Sequence, residues 1–135
     1  MPRLIKAFTI IEILVVVLIA GILIALALPN FGSMKERALD KEAKASLKLL
    51  QAAEKIYRLE YTVYWACNTG VAEDDIDCIN TNLKLYIPKA ATRNWDYSTN
   101  ASGDGSADRN VTGGRTWSLL MGSEDPSCTG TGCPP

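Results

Sequence analysis

The 135-residue chain contains no histidine, which excludes imidazole triads, histidine metal sites and a histidine pH switch. It has almost no net charge, with 14 Lys plus Arg against 15 Asp plus Glu. A nucleic-acid binder needs a basic face to neutralise phosphates, so no nucleic-acid partner is indicated. Cys67, Cys78, Cys128 and Cys133 include no C-x-x-C pair, and a zinc centre is not expected from them. Gly103-Asp104-Gly105 lacks a P-loop context, and no Ser, Cys or Lys has a recognisable base close in sequence. The expectation is therefore a protein that is not an enzyme and has no resident cofactor. At this length it forms one small domain at most.

Much of the hydrophobicity sits in one run: of the 21 residues 8–28, only Thr9, Glu12 and Gly21 are not apolar. Helical residues in that number rise roughly 31 Å, the thickness of a bilayer's hydrocarbon core, so the run is expected to cross a membrane once. Arg3 and Lys6 precede it, and the positive-inside rule keeps them cytoplasmic with the C-terminus outside. A secretory signal has a shorter apolar region followed by a small-residue cleavage site. Here the small residue at a plausible processing point is Ala7, before the run. Cutting there removes the charges and keeps the helix.

Glu12 is the anomaly, because a carboxylate at the bilayer centre costs about 2.5 kcal/mol or more, and less near an interface. Two readings stay open. Glu12 snorkels to the headgroups, or it has a charge partner, which the new α-amino group of a chain beginning at Phe8 would supply.

The stretch Ala7-Phe8-Thr9-Ile10-Ile11-Glu12, followed by an apolar run to Leu28 and then Pro29, resembles the prepilin motif of the type IV pilin superfamily, which includes the pseudopilins of type II secretion. The family pattern is a short basic leader ending in a small residue, then Phe-Thr-Leu-Ile-Glu, then an apolar helix with a proline near its end. Ala7 stands where Gly is usual, and Ile10 replaces Leu. The resemblance covers about the first 60 residues and implies that a prepilin peptidase cuts between Ala7 and Phe8 and methylates the Phe8 amine. It also implies roles in assembly for Phe8, Glu12 and Pro29.

Pro29 is expected to kink the helix, since it cannot donate to Ala25 and its ring crowds that carbonyl. Helical periodicity resumes with Leu39, Ala43, Leu47, Leu50, Ala53, Tyr57, Tyr61 and Tyr64 on one apolar face. The opposite side carries Asp40 to Lys44 and Glu54 to Arg58 at the acid-first i,i+4 spacing, with charges expected in solvent. Residues 67–82 read as an irregular acidic loop. Leu83, Leu85 and Ile87 alternate as a strand ended by Pro88. Further strands are expected at 94–99, around 108–112 and at 115–120. The expected fold is α+β and type IV pilin-like: a long N-terminal helix, apolar in its first half and amphipathic in its second, packed on a small antiparallel sheet. Its divisions are a leader at 1–7, a membrane and filament-core helix at 8–29, and an extracytoplasmic head at 30–135. The head comprises the amphipathic helix at 30–65 and loop plus sheet at 66–135.

Four cysteines in an exported head point to disulfides. Of the three pairings, sequence proximity favours Cys67 with Cys78 and Cys128 with Cys133. Glu73, Asp74, Asp75 and Asp77 are a candidate Ca²⁺ cluster of hard oxygen ligands, against the plain reading of a solvated loop. Asp104 and Asp108 are a second candidate Ca²⁺ site, because the resemblance to major pseudopilins implies a calcium loop near the C-terminus. Tyr57, Tyr61 and Tyr64 beside Trp65 have the spacing of core packing rather than of an aromatic electron path. Asn100-Ala101-Ser102 and Asn110-Val111-Thr112 fit the N-glycosylation sequon.

The resemblance implies a structural subunit of a type IV pilus that polymerises with itself, processed by a prepilin peptidase and extruded by an inner-membrane assembly platform. Its precursor sits in the inner membrane and its filament on the cell surface. The alternative is a type II secretion pseudopilin. A solitary membrane-anchored binding module is the reading from another class.

Overall fold

The computed structural model describes residues 8–27, 31–89, 93–111 and 114–134, excluding the side chains of 27 and 72–74. The leader 1–7, Pro29 and Thr112 lie outside them. In chain order the described elements are α1 (Ile10–Ala27), α2 (Phe31–Tyr61), α3 (Ala72–Asn82), β1 (Trp95–Thr99), β2 (Gly105–Arg109), β3 (Thr116–Leu119) and β4 (Ser127–Thr129). The chain divides into two compact units, Met1–Ala38 and Leu39–Pro135.

The first unit holds α1, whose 18 residues rise about 27 Å. Among the described residues no single helix is long and apolar enough to cross a membrane, while α1 and α2 taken together meet that test by length and composition. The run read from the sequence also includes Leu28, which is outside the described residues.

In the second unit, Leu39, Ala43, Leu47, Leu50 and Ala53 make the buried face of α2. They pack on a four-stranded antiparallel sheet of order β1-β2-β3-β4. Alternation points Trp95, Tyr97 and Thr99 of β1 and Trp117 and Leu119 of β3 at the helix. Between them β2 presents Gly105 and Ala107, with Arg109 over the Trp95 ring at its far end, and a Cβ on Gly105 would lie 3.1 Å from Leu47 Cδ2. Small residues let α2 approach the middle of the sheet, while the tryptophans fill the space on either side. Two polar clamps fix the helix. The Trp95 indole N–H donates to the Leu39 carbonyl at 3.0 Å, and the Gln51 amide donates to the carbonyls of Leu120 at 2.9 Å and Ser123 at 3.0 Å.

The α+β architecture is the expected one, but several elements differ. Residues 72–82 form α3 rather than a loop, because Ile76 and Ile79 are fully buried beside β1 and outweigh the turn-forming composition. Residues 83–87 form no strand. Lys84 has a left-handed φ of 55°, and the Asn80 carboxamide takes both backbone groups of Ile87, accepting its N–H at 2.7 Å and donating to its carbonyl at 2.9 Å. A side chain thereby replaces a ladder neighbour. The second strand lies at 105–109, N-terminal to the expected position, and β4 was not expected.

The charged side of α2 is also corrected. Asp40 and Glu54 are buried, not solvated. Lys44 sits over the Trp117 ring at 4.1 Å and Arg58 over the Tyr64 ring at 4.8 Å, so each cation takes an aromatic face. Of the aromatic stripe, Tyr57 packs on the core, Tyr61 is exposed, and Tyr64 lies past the end of α2.

Candidate functional site

α1 buries none of its large side chains within the chain. From Val15 at 47% to Ile10 at 87%, the Ile, Leu and Val residues of α1 named here and their neighbours are exposed on every side. Water does not tolerate an apolar surface of that size for long, so lipid or another protein must cover it.

The helix begins with a local device that the sequence reading missed. Thr9 precedes the first helical residue and Glu12 stands three places on at the T-x-x-E spacing, but the reciprocal side-chain-to-backbone bonds of a capping box do not form among the described residues. The Thr9 carbonyl accepts the Glu12 N–H at 3.1 Å, and the Thr9 hydroxyl donates to Glu12 Oε2 at 3.5 Å. Glu12 in the first turn also meets the positive end of the helix dipole. Phe8 precedes it, exposed. Ala7 and Pro29, the other residues assigned to processing and assembly, lie outside the described residues.

The head is stapled at two places. Cys67 is joined to Cys78 and Cys128 to Cys133, and Cys67 is fully buried. The first bridge ties the segment after α2 to α3, and the second closes the chain just past β4.

The described aspartates of the calcium candidates are each engaged by protein partners. Asp104 in the β1–β2 turn accepts the Met121 N–H on Oδ1 at 2.8 Å and the Asn100 amide on Oδ2 at 3.1 Å. Asp108 in β2 accepts from the hydroxyls of Thr116 and Ser106. In the acidic cluster, Asp75 is held by Thr69, and Asp77 pairs with Lys89. The side chains of Glu73 and Asp74 lie outside the described residues. Among the described residues no three Asp, Glu, Cys or His side chains could hold a metal ion together. Asn100 is locked in its turn, its Oδ1 accepting the N–H groups of Ser102 and Asp104.

The candidate site is therefore α1 itself: an apolar helix needing an external cover, with one carboxylate in its first turn, in a chain that also carries a disulfide-stapled head. That is the build of a protein that is anchored or assembled through its helix. Known proteins match it. The type IV major pilin protein PilA of Myxococcus xanthus is 44% identical over 59 residues, 44% of this chain and 27% of the relative. Competence protein ComGC of Streptococcus pneumoniae is 41% identical over 56 residues, 42% of this chain and 52% of the relative. Type II secretion system core protein G of Escherichia coli is 30% identical over 97 residues, 67% of this chain and 66% of the relative. The chain thus spans about a quarter, half and two thirds of their respective lengths. No family model matches the chain, and no solved structure does. The chain belongs to the type IV pilin and pseudopilin superfamily. None of these relatives is named for an enzymatic activity.

Proposed function

We propose that the chain is a structural subunit of a type IV pilus. Its precursor lies in the inner membrane through residues 8–28, loses residues 1–7 to a prepilin peptidase, is methylated at Phe8, and is passed by an assembly platform into a homopolymer on the cell surface. The observation that carries this reading is the all-round exposure of α1, interrupted near its start by Glu12. Lipid covers such a surface in the precursor, and the α1 helices of other copies cover it in the filament. The disulfides suit an oxidising compartment. The test is to shear fibres from the source cells, image them, and identify their main polypeptide. Fibres built of this chain support the reading.

The second reading is a pseudopilin of a type II secretion system, favoured by the 97-residue match to core protein G, which takes in more of this chain than the other two matches described. It uses the same helix physics. Its outcome in the same experiment is a periplasmic pool with no surface fibre, which overturns the pilus reading.

A further inference from the structure

Glu54 is a buried acid, 0% exposed, on the sheet-facing side of α2. Its Oε2 accepts the Trp65 backbone N–H at 3.0 Å, while Oε1 is buried with no hydrogen-bond partner. Between the two residues the chain leaves the helix through Thr62, at a left-handed φ of 63°, and comes back beside it. Thr99, at the end of β1, holds the same segment from the other side. Its hydroxyl donates to the Trp65 carbonyl at 2.9 Å and accepts the Cys67 N–H at 3.0 Å. Backbone bonds of 2.9 Å run both ways between Cys67 and Thr99. The hydroxyl has one proton, for which the Trp65 carbonyl and the Glu54 carboxylate compete.

Among the described residues no cation pairs with Glu54. On α2, Lys55 donates to Gln51 and Arg58 to Tyr64. On α3, Asp75 is held by Thr69 and Asp77 by Lys89. On β1, Asp96 pairs with Arg93, and in the turn beyond it Asp104 is held by Asn100 and Met121. Tyr57, one turn along α2, senses Glu54: burial chiefly, then the charges of Tyr61, Glu54 and Glu60, push its phenol up. An ionised carboxylate with an unfilled acceptor in such a place is costly.

We propose that Glu54 is a proton-operated latch: neutral, it pins residues 62–67 between α2 and β1, and ionised, it loosens that junction. Ionisation draws water, or the rotating Thr99 hydroxyl proton, onto Oε1, and in the second case the Trp65 carbonyl is released. Burial raises the Glu54 pKa above 4.5, with the Trp65 N–H and the Thr99 hydroxyl opposing part of the rise. For an acid raised in the folded state, the stabilisation is complete below the unfolded pKa and is lost as pH climbs through the folded one.

Hydrogen exchange at the Trp65 and Cys67 amides tests this, using the full chain in detergent micelles from pH 4 to 8 with intrinsic exchange corrected. Wild-type protection should fall with rising pH, about tenfold for each unit by which folding raises the Glu54 pKa. Glu54→Gln should be flat. A flat wild type, or the same slope in Glu54→Gln, overturns the latch. Should Glu54→Gln fail to fold, carbon-13 titration of the wild-type Glu54 carboxyl decides: a midpoint above the ordinary 4.5 supports it, and one at or below overturns it.

Discussion

Arg115 Nε donates to Asp40 Oδ1 at 2.7 Å, joining β3's leading end to the start of the head's helix across 75 residues of sequence. The Trp117 indole N–H donates to the same oxygen at 2.9 Å. The two charged side chains are only 9% and 12% exposed, so removing either leaves the other poorly solvated. Arg115→Ala and Asp40→Ala are each expected to destabilise the head by about 3 kcal/mol. The double variant should lose clearly less than the sum of the two. Denaturant unfolding of the four proteins measures this, and strict additivity would show that the pair acts as two separate residues.

Gly103 turns the chain from β1 into β2 at a φ of 82°, its N–H donating to the Asn100 carbonyl at 2.9 Å. A Cβ there would fall 2.6 Å from Met121 Cε and 2.7 Å from the Tyr64 ring. Gly103→Ala combines left-handed strain with a clash against a ring, and should cost about 2 kcal/mol. A melting temperature equal to wild type would mean that the turn relaxes.

The two disulfides should differ in weight. The Cys67–Cys78 bridge closes a sequence separation of 11 and the Cys128–Cys133 bridge one of 5. In the loop-entropy account these contribute about 3 and about 2 kcal/mol. Replacing the first pair by serine should lower the melting temperature more, because Cys67 is also fully buried. Non-reducing peptide maps should show both links, and free thiols on the native protein would contradict them.

What the sequence made legible follows where the signals were strong. Trp95 and Tyr97, and Trp117 and Leu119, alternate with polar neighbours, and β1 and β3 form there. The strand between them was harder to place because its inward residues, Gly105 and Ala107, are small by requirement of the helix above, and small residues look like turn. Asp40 and Glu54 looked like solvent charges since i,i+4 spacing to Lys44 and Arg58 describes a free helix. Their partners, Arg115 and Trp65, come from the tertiary fold. For α1 the T-x-x-E spacing of Thr9 and Glu12 is in the sequence, but which of their atoms meet is decided by the geometry of the helix start.

Processing is expected to leave a chain that begins at Phe8, methylated on its amine. Removing Arg3 and Lys6 leaves 12 basic against 15 acidic side chains, from 14 and 15 in the full chain. Mass spectrometry of the assembled protein measures the new N-terminus, and retention of residues 1–7 would contradict it. Ala7→Glu should block cutting, because the peptidase implied by the resemblance needs a small residue before the scissile bond.

Glu12 has two local partners, the Thr9 hydroxyl and the helix dipole, and neither requires a second subunit. The assembly role is separable from them. In a filament core the carboxylate is poorly solvated, and docking beside the Phe8 amine of a neighbouring copy offsets part of that cost while setting the axial offset of the incoming helix. The Ile, Leu and Val surface around it packs in many registers and specifies little. Glu12→Ala is expected to keep cleavage and membrane insertion but to weaken subunit addition by more than about a hundredfold, the equivalent of losing about 3 kcal/mol from a buried pair. Glu12→Gln keeps a polar group near Thr9 but loses the charge, and should be nearly as poor. Thr9→Ala removes the local hydroxyl and leaves the charge, and should still give fibres. Counting fibres per cell by electron microscopy, with precursor processing followed on blots, separates the cases. Normal fibres made only of Glu12→Ala subunits would leave Glu12 with its local contacts alone, the Thr9 hydroxyl and the helix dipole, whereas loss in both Thr9→Ala and Glu12→Ala would assign the effect to the helix start and not to the pair.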